Sequence, residues 1–307
     1  MARTILLSSN SGDKVKALVT GTAGFLGRHV VTQLLEDGFE VTAFDTKPNP
    51  GLEVCWIQGD LRDREAVIDV AEGHDVICHL GAIGDVYLAG EKPWLAAEVN
   101  VVGSANIAEA ALNADAKVIY ASTWEVYGEP EYEPIDEDHR CHPDHPYNIT
   151  KLAGESLLLA ADTLHGLPVT SLRLGTAYGR GLRPNSVFRI FIDRAKTGKP
   201  ITIQGSGLQG RQFTHAVDLA RAFSIACASD VHGVALNAMS ERMVTIKELA
   251  ELVVRRFGTE LTFGDPRPGD VPSAQVSAER IGAVLGWKAE VSFEQGLHEL
   301  MESAANS

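Results

Sequence analysis

The sequence has few of the features that mark a disulfide, metal or membrane protein. Its four cysteines are scattered without CxxC spacing, which favours small buried side chains in a reducing compartment over a disulfide framework or a metal site. No apolar run approaches the roughly 20 residues that span a bilayer, and the apolar part of the opening MARTILLSSNSGDK is too short for a signal peptide. We therefore predict a cytoplasmic protein with no metal and no membrane partner, beginning with a loose tail over residues 1–14.

Clusters of basic residues are also missing. The 27 basic and 41 acidic side chains leave a formal net charge of -14, which repels a phosphate backbone, so we expect no nucleic-acid partner. Internal repeats and low-complexity segments are absent as well. The 307 residues, of which 45% are hydrophobic, predict one large domain or one domain with a smaller lobe.

Short apolar runs alternate with amphipathic stretches through the first half of the chain. VKALVT reads as a strand, and Phe25 to Glu36 carries apolar residues at helical spacing. EVTAFD, DVICHL and KVIYAS read as further strands with helical stretches between them. This alternation predicts right-handed βαβ units and an α/β fold, a doubly wound parallel sheet of the Rossmann type.

Glycine and proline become frequent after Val169 to Gly175. They cluster in YGRGLRPNS, TGKP, GSGLQG and DPRPGD, which indicates a smaller, loop-rich lobe. We predict that residues 15–178 form the Rossmann domain, that 212–240 return to it, and that 179–211 and 241–307 form a discontinuous α+β substrate lobe.

The segment VTGTAGFLGRHV places Gly21, Gly24 and Gly27 between the first strand and the first helix. Glycines there permit a tight turn and let the backbone approach a pyrophosphate at the helix N-terminus. The next strand ends in Asp45, where a carboxylate can bind ribose hydroxyls and repel a 2'-phosphate. NAD is therefore favoured as the cofactor over NADP, although Lys47 lies close by.

Two further motifs extend this site. GDLRD brings Asp60 and Leu61 to the end of the third strand, where an adenine would lie. Tyr147 and Lys151, four residues apart in HPYNITKLAG, leave the same face of a predicted helix. An ammonium near a phenol favours the phenolate, so the pair suits general-base chemistry.

With these motifs the chain closely resembles the extended short-chain dehydrogenase/reductase family, in its NAD-dependent sugar-nucleotide epimerase/dehydratase branch, which includes UDP-glucose 4-epimerase-like enzymes. The resemblance runs from about Val15 over nearly the whole chain. It rests on motifs in the family's order: GTAGFLG, GDLRD, HLGA, EVNVVGSANIAEAA, STWEVYG, YNITK, LRLGTAYG, GRQFTHAVDLARA and PRPGD.

The resemblance implies a catalytic triad of Thr123, Tyr147 and Lys151. Tyr147 would take the proton of a sugar hydroxyl as hydride passes to NAD, Thr123 would hydrogen-bond the same oxygen, and Lys151 would also hold the nicotinamide ribose. Asn100 matches a helical position that helps to order the lysine through water. The other cofactor contacts that the resemblance implies are Gly21, Gly24, Phe25, Leu26, Gly27, Asp45, Asp60, Leu61, Leu80, Gly81 and Ala82.

The same resemblance predicts a nucleoside-diphosphate sugar as the substrate. Arg211, Arg267 and Asp270 match positions that hold the nucleoside diphosphate, for which an arginine fork and an aspartate are suited. Thr176 stands in LGTAYG where the family often has asparagine, and GAIGDVYLAG differs from the usual loop beside the sugar. The base and the sugar stay open.

The stretch STWEVYG favours one reaction of the branch. A 4,6-dehydratase has an Asp-Glu pair after the threonine, whereas this chain has Trp124 and Glu125, and an indole N–H cannot act as the acid. Epimerisation at C4 needs only the triad, so we predict a 4-epimerase. Trp124 could instead stack on the sugar, and Glu125 could bind a hydroxyl.

Other functions remain as alternatives. These are a 4-keto reductase, a uronic acid decarboxylase, a 4,6-dehydratase and, more remotely, a non-catalytic NAD(H)-binding sensor or scaffold. The stretches Trp94 to Leu112 and Tyr147 to Ala161 carry apolar residues on more than one face. In the resembling family these helices form a four-helix contact, so a homodimer is expected.

Overall fold

The computed structural model describes residues 14–265 and 273–305. Two predicted substrate contacts, Arg267 and Asp270, lie outside the described residues, as does nearly all of the predicted N-terminal tail. Within the described ranges, no helix combines the length and apolar character needed to cross a bilayer.

The strands are β1 (Lys16–Thr20), β2 (Glu40–Asp45), β3 (Cys55–Gln58), β4 (Val76–His79), β5 (Lys117–Thr123), β6 (Val169–Leu174), β7 (Thr176–Tyr178), β8 (Ile201–Gln204), β9 (Gly210–Arg211), β10 (Phe213–His215), β11 (Val234–Ala238), β12 (Val244–Thr245) and β13 (Leu261–Gly264). The helices are α1 (Phe25–Glu36), α2 (Arg64–Ala71), α3 (Val86–Glu91), α4 (Pro93–Ala96), α5 (Gly103–Ala114), α6 (Pro146–His165), α7 (Val187–Lys196), α8 (Ala216–Ala228), α9 (Ile246–Phe257), α10 (Glu279–Leu285) and α11 (Phe293–Ala305).

Seven parallel strands form the central sheet, in the order β11-β6-β5-β4-β1-β2-β3. Successive residues of its inner strands enter cores on opposite faces. Val19 and Cys78 pack in one core, and Leu18 and Ile77 pack in the other. A parallel sheet covered on both faces buries the residues of its inner strands at every position, as is seen in β4 and β5. The predicted Rossmann-type α/β fold is confirmed.

The second half of the chain contributes to two layers. β11 completes one edge of the sheet, and α8 packs in the same core as α1. A separate core joins α7, α9 and α11 through residues such as Phe188, Leu249 and Leu297, beside the strand pair β8 and β13. The predicted domain boundaries stay a prediction.

One local feature was not predicted from the sequence. The sequence predicts a long helical stretch from Trp94 to Leu112, and within it Ala97–Val102 is π-helical between α4 and α5. The Ser104 hydroxyl donates to the carbonyl oxygen of Asn100 at 2.6 Å and so satisfies an acceptor within this segment. The bulge therefore places Asn100, which is buried, inside the predicted site.

Candidate active site

The loop between β1 and α1 is shaped for close approach of a ligand to the backbone. Gly21 has a φ of +75°, and a Cβ added to it would lie 2.7 Å from the backbone nitrogen of Gly81. A Cβ at Gly27 would overlap the carbonyl oxygen of Gly21. Any larger residue would therefore displace the turn that precedes the N-terminus of α1, beside which Phe25 and Leu26 begin the helix.

Asp45 ends β2 and is fixed beside this loop. Its carboxylate accepts a hydrogen bond from the backbone nitrogen of Ala23 at 2.9 Å and another from that of Lys47 at 3.0 Å. Each carboxylate oxygen keeps a further lone pair, which suits a ribose hydroxyl. The contact with Lys47 involves its backbone, while its side chain is exposed.

Asp60 and Leu61 follow β3, as the sequence predicts. Asp60 pairs with Arg62 at 2.7 Å, and the Arg62 side-chain hydrogen bond lowers the pKa of its carboxyl. Leu61 is buried against the loop after β4, because a Cβ added to Gly81 would lie 2.6 Å from its Cδ1. Leu80 and Ala82 flank Gly81 at the end of β4. These predicted contacts therefore lie along adjoining strand ends.

A buried hydrogen-bond chain that the sequence analysis missed runs beneath these contacts. The Gly81 nitrogen donates to Thr20 Oγ1 at 3.0 Å, and Thr20 Oγ1 lies 2.9 Å from His79 Nδ1. His79 Nε2 lies 3.1 Å from Ser104 Oγ. Because Ser104 gives its own proton to the Asn100 carbonyl, His79 must donate from Nε2 and accept at Nδ1. In the sequence, only the HLGA motif, which contains His79 and Gly81, pointed to these hydrogen bonds.

Burial keeps that histidine neutral. Burial, with a smaller contribution from the nearby Lys151 charge, lowers the pKa of His79 to about 3. The chain therefore links the loop after β4 to the π-helical segment without carrying a charge.

Asn100 connects the π-helical segment to the start of α6. Its side-chain nitrogen donates to Thr150 Oγ1 at 2.9 Å, and its Oδ1 accepts from the Ile83 nitrogen at 2.7 Å. Thr150 in turn donates to the Tyr147 carbonyl at 2.9 Å. Asn100 thus orders the turn that contains Tyr147 and precedes Lys151 through direct contacts.

Tyr147 and Lys151 lie one turn apart near the N-terminus of α6, where His145 caps the helix by accepting from the Tyr147 nitrogen at 3.2 Å. Burial lowers the pKa of Lys151 to about 7, and the Glu155 carboxylate opposes this shift. Burial also raises the pKa of Tyr147 above its ordinary value. Glu125 raises it further, and Arg183 lowers it.

The expected shift of Tyr147 toward its phenolate is therefore not seen in the structure. The sequence analysis assigned that shift to Lys151, but the cation that lowers the pKa of Tyr147 is Arg183, and burial outweighs it.

Thr123 ends β5 and begins the turn Trp124–Tyr127, where its hydroxyl accepts from the Glu125 nitrogen at 3.3 Å. Burial raises the pKa of Glu125, Arg211 opposes this shift, and Asp144 adds to it. The structure thus brings Glu125 within electrostatic reach of both Tyr147 and Arg211.

Trp124 packs, half-buried, against the core beside the predicted substrate contacts. Together with Arg211 it lines a cavity of about 10 Å³, enough for one water molecule. The other lining residues are Gly175, Gly210, Gln212, Met239 and Ala274. Thr176 begins β7 next to Gly175, and Arg211 is held by a bond from its Nη1 to the Gly210 carbonyl at 2.7 Å.

A buried ion pair that was not predicted from the sequence joins α6 to β6. Arg173 of β6 contacts Glu155 at 2.6 Å and donates to the Tyr127 hydroxyl at 2.8 Å. Tyr127 donates to Asn237 of β11 at 2.7 Å. Removing one partner of such a pair leaves an uncompensated buried charge, so these residues hold α6 firmly against the sheet.

Comparison with known proteins identifies this arrangement. The model of the NAD dependent epimerase/dehydratase family matches residues 17–238. The chain belongs to that family. This membership confirms the resemblance found in the sequence and the prediction of NAD as cofactor, and the glycine loop with Asp45 fits that group.

Curated relatives cover nearly the whole chain. A UDP-glucose 4-epimerase of Mycolicibacterium smegmatis is 30% identical, over 95% of this chain and 99% of the relative. A UDP-N-acetyl-alpha-D-glucosaminuronate decarboxylase of Bacillus cytotoxicus is also 30% identical, over 94% and 97%. Family members of similar likeness thus include enzymes for different reactions on nucleotide sugars.

Solved structures agree with this assignment. MoeE5 in complex with UDP-glucose and NAD is 32% identical, with a TM-score of 0.88 over 95% of this chain and 99% of that one. The same protein is also known in complex with UDP-glucuronic acid and NAD.

Proposed function

We propose that this protein is an NAD-dependent nucleotide-sugar 4-epimerase that acts through a transient 4-keto sugar. The observation that carries the proposal is the turn after Thr123, where Trp124 takes the first position and Glu125 the second. Dehydration needs an acid at that first position to protonate the departing C6 hydroxyl. Indole cannot supply the proton, so the dehydratase reaction loses a contribution of about 10²- to 10⁴-fold.

The triad residues suffice for epimerisation. Tyr147 accepts the proton of the C4 hydroxyl and later returns it, while Thr123 hydrogen-bonds the same oxygen from the end of β5. Lys151, buried one turn along α6 from Tyr147, is suited to hold the nicotinamide ribose, while the Arg183 charge favours the ionised phenol. Bound NAD, held by the glycine loop and Asp45, supplies reversible hydride acceptance at C4.

In an epimerase Glu125 would not act as the acid or base of a dehydration. Burial raises the pKa of Glu125, and its carboxyl group is suited to hydrogen-bond a sugar hydroxyl. Arg211, whose charge acts on Glu125, is suited to the substrate diphosphate.

A uronic acid decarboxylase is the second candidate. The observation in its favour is that Glu125 is half-buried within electrostatic reach of Tyr147, while one 30% identical relative carries the name of such a decarboxylase. Decarboxylation would also begin with oxidation at C4, so only the product separates the two reactions.

The deciding experiment gives the purified protein UDP-glucose, UDP-glucuronate and dTDP-glucose in D2O, and analyses products by mass spectrometry and NMR. Epimerisation returns an isomer of unchanged mass with no deuterium at C5. A product lighter by one water and labelled at C5 would assign a dehydratase, and loss of carbon dioxide a decarboxylase. Tyr147→Phe serves as the inactive control.

We also propose a homodimer formed by a four-helix bundle. Helix α6 and the run from α4 to α5 expose apolar side chains that a monomer would leave in water. These side chains are Trp94, Val102, Leu112, Ile149, Leu157 and Leu164. Two copies related by a two-fold axis would bury both helical runs of each.

A further inference from the structure

The loop that follows β7 crosses the carboxyl end of the sheet from α1 to α3. Near one end, His29 Nε2 of α1 lies 2.9 Å from the Arg180 carbonyl oxygen. Further on, Arg183 Nη1 donates to Asp85 Oδ2, at the start of α3, at 3.1 Å. Ligands of doubly wound folds bind at this end of the sheet, so the loop passes over the site described above.

Asp85 holds one edge of the Arg183 guanidinium and leaves the other free. Its Oδ1 caps α3 by accepting from the Leu88 nitrogen at 3.1 Å, so the carboxylate is fixed in the helix. Among the residues that the structure describes, Nε and Nη2 of Arg183 have no partner, and the side chain is 56% exposed. The N–H groups on that open edge can donate two parallel hydrogen bonds to the two oxygens of one carboxylate.

The open edge of the Arg183 guanidinium lies on the Tyr147 side of the site. Helix α3 packs against the start of α6, because a Cβ added to Gly90 would lie 3.3 Å from His145 Nε2, at the cap of α6. The Arg183 charge acts on the Tyr147 phenol, whereas the Arg211 charge acts on Glu125. The two arginines therefore act on different residues of the site.

The chemistry of a pyranose assigns the two parts. In the proposed reaction Tyr147 acts at C4, and C6 is attached to the neighbouring ring atom C5. The anomeric diphosphate leaves from C1, on the opposite side of the ring. A cation close to Tyr147 therefore meets the groups on C3 or C6 and not the diphosphate, and of these two positions only C6 can carry a carboxylate.

We propose that Arg183 binds the C6 carboxylate of a nucleoside-diphosphate hexuronic acid, with Asp85 as its positioning residue. This inference rests on the proposed function and names its substrate class. A neutral C6 hydroxyl would leave the guanidinium with Asp85 alone, whereas a carboxylate forms a charge-assisted, bidentate pair with the open edge.

Binding to the inactive Tyr147→Phe enzyme, loaded with NAD, tests this without turnover. Calorimetry with UDP, UDP-glucose and UDP-glucuronate should show that UDP-glucuronate binds more tightly than UDP-glucose. Adding Arg183→Gln should lower the affinity for UDP-glucuronate by about 10- to 100-fold. The affinities for UDP and UDP-glucose should change by less than about threefold. Arg183→Lys should give an intermediate loss, since it keeps the charge without the fork.

Two controls separate the carboxylate contact from other effects. Arg180→Gln removes the same charge from the same loop, at an exposed residue for which the described part of the chain shows no ion pair, and should leave all three affinities unchanged. Asp85→Asn combined with Arg183→Gln avoids leaving Asp85 unpaired, and the loss specific to UDP-glucuronate should persist.

If Arg183→Gln lowered the affinities for all three ligands equally, Arg183 would be assigned to the diphosphate and the inference would be overturned. Unchanged affinities would also overturn it, as would tighter binding of UDP-glucose than of UDP-glucuronate to the Tyr147→Phe enzyme with Arg183 intact. Because binding is measured without catalysis, it is independent of the product analysis. A selective loss together with a product other than an epimer would refute the 4-epimerase alone.

Discussion

Lys151 holds its ammonium 4.2 Å from the centre of the Tyr120 ring, and the Tyr120 hydroxyl donates to the Lys151 carbonyl at 3.2 Å. The lysine is only 3% exposed, and this burial lowers its pKa to about 7. Part of the interaction that keeps the lysine charged therefore comes from an aromatic face that the Tyr-x-x-x-Lys motif does not reveal.

The first prediction follows from this lowered pKa. The unfolded chain keeps the lysine near its usual pKa of 10.5, so above about pH 7 it binds more protons than the folded protein. Wild-type stability should therefore rise with pH in this window, relative to Lys151→Met, by about 2 kcal/mol between pH 7 and 9. Urea unfolding at each pH measures this, and a constant difference between the two proteins would contradict the assignment.

Tyr147→Phe should reduce turnover by about a thousandfold or more, because it removes the proton acceptor and nothing else. NAD binding, followed by the intrinsic fluorescence of the protein, should stay within about threefold, since the glycine loop and Asp45 are untouched. Activity within tenfold of wild type would refute the proposed role of Tyr147.

Asp45→Ala should weaken NAD more than NADP. The substitution removes a carboxylate suited to ribose hydroxyls and relieves its repulsion of a 2'-phosphate. Titration of both cofactors measures the ratio of their affinities. Lys47→Ala is the matched control and should lower NADP affinity only. If the ratio did not move in Asp45→Ala, the acidic anchor would lie elsewhere.

The proposed dimer predicts a specific effect of charge on α6. Leu157→Glu should convert a dimer to a monomer in sedimentation at micromolar concentration, because the carboxylate would be buried unpaired in the bundle. Leu208→Glu is the matched control: Leu208 is also exposed but lies outside both helical runs, in the turn between β8 and β9. A wild-type monomer, or equal dissociation in both variants, would argue against this interface.

The class of fold, the cofactor and the family could all be predicted from the sequence. These depend on signals within a few residues of one another: alternating strand and helix periods, three glycines spaced at a strand-helix turn, and a tyrosine and a lysine on one helical face. Such signals can be interpreted without knowledge of the packing, because a turn or a helix face is formed by residues that are close together in the sequence.

The tertiary structure alone decided which distant side chains act together. Arg183 meets Asp85 across 98 positions of the chain, and Glu155 meets Arg173 inside the core. No periodicity encodes either pair, since the first joins two loops that follow different strands and the second forms only when α6 packs on β6. The cation beside Tyr147 therefore came from a loop after β7, because packing, and not spacing along the chain, sets the electrostatic field in which the phenol titrates.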